Sequence, residues 1–218
     1  MRASRPLSAW VVVRFVGAAV QTTQTDLLWA VRDTQNREAW GSFYRIYAPM
    51  LEHFSRRLGL PDVDADDVTQ EVLMIAHRSL HDGVYDPQKG SFRMFLYGIA
   101  RRQTLAALRM RRRRTRLQSM VTDEGADLLT QIEDRHNEET VQEIWRQEWR
   151  YALLDEALRQ VQSELGENVF QAFSLYAIQR RPVSEVAERL GIAPSSVYVY
   201  KGRVLEAIRR WVAQFEVP

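Results

Sequence analysis

Apolar residues recur at three- and four-residue intervals along almost every ordered-looking stretch of this chain, and strand-like alternation is absent. Spacing of that kind places apolar side chains on one face of a helix. The pattern predicts a short helix over 25–32 and a longer one over 36–58, rich in Trp40, Phe43, Tyr44, Tyr47 and Phe54. Gly59 and Pro61 close the second helix. Asp64 is a candidate cap for a third, whose buried positions are Val68, Val72, Ile75, Ala76 and Leu80. Ser91 is placed to cap a fourth, with Phe92, Phe95, Ile99 and Ala106 turned inward. Residues 111 to about 140 are charged and weakly periodic, which reads as a linker. Helices resume near Val141, through Leu165, then over 168–179, and as a final pair from Val183. The expected fold is therefore all-α: two small helical domains joined by a charged linker. Its parts are an extension over 1–24, a first domain over 25–116, the linker over 117–140 and a second domain over 141–218.

Composition supports real cores, with 45% hydrophobic and 27% charged residues among 218. The net charge is only +2, yet the charges are segregated. Between Gly98 and Val121 there are many arginines and no acid. Between Thr122 and Glu148 acids dominate, opposed only by Arg135 and Arg146. Since fields act over a Debye length of ~10 Å, this segregation matters more than the sum. The chain has no cysteine, which excludes disulfides and thiolate metal sites and fits a cytoplasmic location. The apolar run over 9–20 resembles a signal peptide. Arg14 interrupts it, and it falls short of the ~20 apolar residues that span a bilayer, so neither export nor anchoring is expected.

Two kinds of surface occur close together. The segment Asp64 to Val72 is acidic and amphipathic, with Asp66, Asp67, Gln70 and Glu71 away from its apolar stripe. After a turn at 85–90 follows an aromatic and basic helix that runs into Arg111, Arg112, Arg113, Arg114 and Arg116. Cations attract phosphates and aromatic rings stack on unpaired bases. Lys89, Arg93, Tyr97, Arg101 and Arg102 are the nucleic-acid candidates there, because they avoid the Phe92, Phe95 and Ile99 stripe. Acids so near would repel nucleic acid and better suit a protein partner.

A third feature is the spacing of a helix-turn-helix over 183–205. Val186, Ala187 and Leu190 form the inner face of its first helix, Gly191 permits the left-handed turn, and Pro194 opens its second. Ser195, Ser196, Tyr198, Val199, Lys201 and Arg203 lie on the exposed side of that second helix, suited to phosphates and base edges in a major groove.

In this order the three segments resemble those of a bacterial RNA polymerase sigma factor of the small extracytoplasmic-function type. The acidic stretch from Asp64 to Val72 is similar to the polymerase-binding helix of region 2. The stretch from Gly90 to Arg101 with the following arginines is similar to the minus-ten segment. Residues from Val169 to Arg210 are similar to region 4, which reads the minus-thirty-five element. The resemblance implies a transcription-initiation subunit with no catalytic residue, cofactor or metal of its own. Its partners would be core RNA polymerase and promoter DNA, with an anti-sigma factor as a further partner the family admits, and no membrane. Arg102 and Ala106 depart from the Asn and Asp usual in the family, and Arg180 to Pro182 lacks the usual glycine. Two other readings are a helix-turn-helix regulator that never joins polymerase, and a metal-dependent nuclease. The first leaves the acidic helix unexplained. The second lacks converging carboxylates, and its histidines show no ligand spacing.

Overall fold

Buried aromatic rings organise the first unit of the molecule, and their spacing along the chain dictates which helices meet. In this computed structural model, residues 25–118 and 137–213 are described. Among them every regular element is helical, and the fold is all-α. The expected extension over 1–24 and most of the expected linker lie outside the described residues. Two compact units are formed: Thr22–Ala152 makes up one, and Leu153–Pro218 belongs to the other.

In the first unit, α1 (Thr25–Val31) leads to α2 (Arg37–Arg57). Asn36 caps α2, its Oδ1 accepting the Ala39 N–H at 3.0 Å. On α2, Phe43, Tyr47 and Phe54 are fully buried. Phe43 and Tyr47 sit 4.4 Å apart between ring centres, and Phe92 meets both edge-on at 5.8 and 5.7 Å. Such edge contacts add to the area the rings bury. The third helix, α3 (Asp62–His81), starts two residues before the expected Asp64 cap, with Pro61 at the cap position. Asp62 and Asp64 then fall in the first turn, where the helix dipole favours acids, and Asp62 forms an ion pair with Arg56 at 2.8 Å. Val68, Val72, Ala76 and Leu80 are buried as the spacing requires, and Ile75 is half-buried.

Helix α4 (Phe92–Gln118) is longer than its apolar pattern suggests. Arginine is a strong helix former, so the basic run extends the helix instead of opening a linker at 111. Ser91 Oγ accepts the Met94 N–H at 3.4 Å, at the expected start. Its buried residues are Phe92, Leu96, Tyr97, Ile99, Ala100, Thr104 and Leu108, whereas Phe95 and Ala106 are half-buried. The inward stripe is therefore wider than expected and includes Tyr97.

Helix α5 (Glu138–Leu165) runs across the division between the units. Its residues up to Ala152 belong with α1–α4, although the sequence pattern opens the second unit at 141. The cause is aromatic. Trp145 meets Phe54 at 5.2 Å and Trp149 stacks on Tyr47 at 5.6 Å, both tryptophans being buried.

In the second unit, α6 (Glu167–Phe173) widens into a π-helical turn over Ser174–Ile178. Helices α7 (Val183–Leu190) and α8 (Pro194–Ala213) follow. Gly191 joins them at φ +62°, a conformation that disfavours any side chain. Ala172, Leu175, Val186, Ala187 and Val197 form the core here, with Ile192 and Tyr200 packed against it.

Candidate functional site

Three surfaces carry the residues singled out by sequence. On α3, Asp66, Asp67, Gln70 and Glu71 are all exposed, opposite the buried row from Ala65 to Leu80. Gln70 Nε2 donates to Asp66 Oδ2 at 3.1 Å, which holds two of the four side chains side by side. Where α3 approaches the arginine-rich end of α4, Arg111 Nη1 donates to Asp64 Oδ2 at 3.1 Å. An open groove of about 350 Å³ lies along this seam, with Asp67 and Arg114 among its walls. The acidic and basic surfaces are thus neighbours, joined by the Asp64–Arg111 ion pair.

The second surface belongs to α4 and the turn before it. Lys89 is exposed on a 3₁₀ turn, and Arg102 is exposed on α4. Arg93 and Arg101 are half-buried, and Tyr97 is only 5% exposed. Sequence periodicity expects Tyr97 on open surface, and here the structure differs. Its ring packs at 5.6 Å from Trp145, and its hydroxyl donates to Glu138 Oε1 at 2.7 Å. Arg101 Nη2 pairs with Glu138 Oε2 at 2.7 Å, and Gln142 Nε2 also donates to Glu138. The start of α5 therefore covers part of this face. A hydrogen bond from a buried phenol to a carboxylate stabilises by about 1.5–3 kcal/mol, and the half-exposed Arg101 pair adds at most ~1 kcal/mol. Burial, reinforced by the Glu138 carboxylate, raises the Tyr97 phenol well above its ordinary range. The Tyr97 hydrogen bond in turn holds Glu138 below the ordinary carboxylate range, helped by Gln142 and Arg101. Burial also lowers Arg93, and the positive charges of Arg146 and Arg150 on α5 lower it further. Farther along α5, buried Glu148 accepts Arg57 Nη1 at 3.1 Å. Sequence reasoning did not single out Glu138, Trp145 or Trp149 as neighbours of this face. Only the acid-rich composition of 122–148 hinted at Glu138.

The third surface is the start of α8. Ser195 and Arg203 are exposed, Ser196 and Lys201 half-buried, and Tyr198 and Val199 stand 55% and 52% exposed. Tyr176, from the π-helical turn, supports this group. Its ring meets Tyr198 edge-on at 5.6 Å, and Lys201 Nζ lies 5.6 Å above it. The first turn of α8 contains no acid, so no carboxylate there would repel a phosphate.

The stretch from Phe43 on α2 to Arg114 on α4 holds both the acidic row and the basic face. Residues 43–114 match the family model Sigma-70 region 2. The first unit thus contains a segment that matches a sigma-factor region. Region 2 thereby includes Asp66 to Glu71 and Lys89 to Arg102, while α5 and the helix-turn-helix lie outside the matched residues. No curated protein matches the chain. Among solved structures, the chain is similar to one described as CnrH in complex with the cytosolic domain of CnrY. Identity is 21%, coverage 86% of this chain and 96% of that one, and the TM-score 0.34. Among the described residues no helix is long and apolar enough to cross a membrane, and no cluster of three potential metal ligands occurs.

Proposed function

We propose that the protein is a sigma factor of the extracytoplasmic-function type, which joins core RNA polymerase in the cytoplasm and directs it to promoters. The observation that carries this reading is the region 2 match over 43–114, within which α3 presents Asp66, Asp67, Gln70 and Glu71 to solvent. A row of acids and an amide that makes no contribution to the core is free to serve a partner. In this reading it contacts core polymerase.

The basic face of α4 holds the melted minus-ten strand, with Lys89, Arg93, Tyr97, Arg101 and Arg102 as its contacts. Phosphates meet the guanidinium groups and the Tyr97 hydroxyl. The helix-turn-helix reads the duplex minus-thirty-five element. Ser195, Ser196, Lys201 and Arg203 take phosphates, and exposed Tyr198 and Val199 approach base edges. Two exposed side chains at the front of α8 would bury apolar area only on such docking. The polymerase performs the bond making, so the chain needs no catalytic group or cofactor of its own.

Asp67→Arg combined with Glu71→Arg tests the polymerase contact. Both residues are exposed and neither packs in the core, so the variant keeps its helical circular dichroism. Pull-down with core polymerase is expected to lose the complex, because two attractive charges become repulsive ones. Wild-type retention of core by the folded double variant would remove the acidic row from this interface.

A further inference from the structure

The face assigned above to melted DNA already has an occupant. Glu138 accepts a hydrogen bond from Tyr97 and pairs with Arg101, two of the five contacts proposed for the minus-ten strand. A carboxylate between a guanidinium and a phenol occupies these donors much as a phosphate oxygen would. Trp145, beside it on α5, packs on the Tyr97 ring as part of the core, so the contact open to competition is polar: the phenol hydroxyl and the guanidinium. We propose that the first turn of α5, pinned by Glu138, is an intramolecular cover that competes with the phosphates of single-stranded DNA for the Tyr97 hydroxyl and Arg101. The proposal rests on the DNA reading of that face.

The cover is built to be displaced. Glu138, its polar pin, is half exposed and sits in the first turn of α5, the end of a helix that frays most easily. At the other end of the contact, Arg146 and Arg150 face Arg93 with charge of the same sign. The buried tryptophans hold the rest of α5 in place, so it is the exposed first turn that can yield. A turn held by one half-exposed carboxylate gives way when a polyanion arrives, and it keeps the free protein from binding single strands indiscriminately. A ligand that needs the uncovered state binds with an apparent affinity reduced by the fraction of molecules uncovered. Loosening the pin therefore strengthens binding without adding a contact.

The test is fluorescence anisotropy of the full chain with a short fluorescein-labelled single-stranded oligonucleotide of randomised sequence. Glu138→Ala is expected to bind about fivefold more tightly than wild type, the scale of one half-exposed ion pair. Glu139→Ala is the control. It removes an acid from the same helical turn but not from Tyr97 or Arg101, and is expected to change affinity less than about twofold. Equal gains from both variants would mean that general charge, not the cover, sets the affinity, and would overturn the proposal. So would an unchanged affinity for Glu138→Ala while Arg101→Ala still weakens the wild type; in that case the DNA face stands and the cover falls. If Arg101→Ala has no effect in either background, the DNA reading of the face fails and the cover fails with it. Loss of the Glu138→Ala gain on adding Arg101→Ala is the outcome the proposal requires.

Discussion

Tyr198 and Lys201 stand on the same turn of α8 and lie against the same ring, Tyr176, yet as proposed DNA contacts they would offer different chemistry. The tyrosine offers a hydroxyl and an apolar plane that distinguish one base edge from another. The lysine offers a charge that any phosphate satisfies. Tyr198→Ala is expected to change which upstream sequence is preferred, whereas Lys201→Ala weakens binding to all sequences and lowers the salt slope by roughly one phosphate contact. Selection of binding sites by wild type and each variant reads both effects. An unchanged preference for Tyr198→Ala would remove that residue from base readout. At this scale the sequence was informative wherever a residue's role is local. Gly191 at φ +62° and Ser91 at the start of α4 could be placed from their neighbours alone. Tyr97 could not, because its partner Glu138 lies 41 residues away, and no local pattern encodes that contact.

The helices themselves were legible because their apolar spacing is dense and their stops are chemical. Gly59 and Pro61 end α2, and Gly191 ends α7. Two element boundaries were not legible. Arginine propensity carries α4 on to Gln118 through residues that composition alone marks as linker. The first turns of α5 belong with α1–α4 because Trp145 and Trp149 find Phe54 and Tyr47, a long-range match that periodicity does not reveal. That match has a measurable consequence. Trp149 is fully buried, so Trp149→Ala is expected to cost about 3–5 kcal/mol of the first unit's stability. Urea unfolding followed by circular dichroism would detect it. A loss below ~1 kcal/mol would mean that α5 contributes little to this core.

For the whole molecule, segregated charge matters more than the near-neutral sum of +2. The acidic row on α3 and the basic face of α4 meet at the Asp64–Arg111 pair, and in the proposed function the first faces a protein and the second a nucleic acid. The helix-turn-helix would add a surface for duplex DNA on the second unit. A regulator that binds DNA alone would use only that last surface. A sigma factor uses all three, and opens promoters only in the presence of polymerase. The most direct measurement is therefore permanganate footprinting of genomic promoter fragments incubated with core polymerase, with the full chain, or with both. The expected result is reactive, unpaired thymines at discrete upstream positions only when both are present, abolished by Asp67→Arg with Glu71→Arg. Unpaired thymines produced by core polymerase alone, or none from the combination on any fragment, would contradict the assignment.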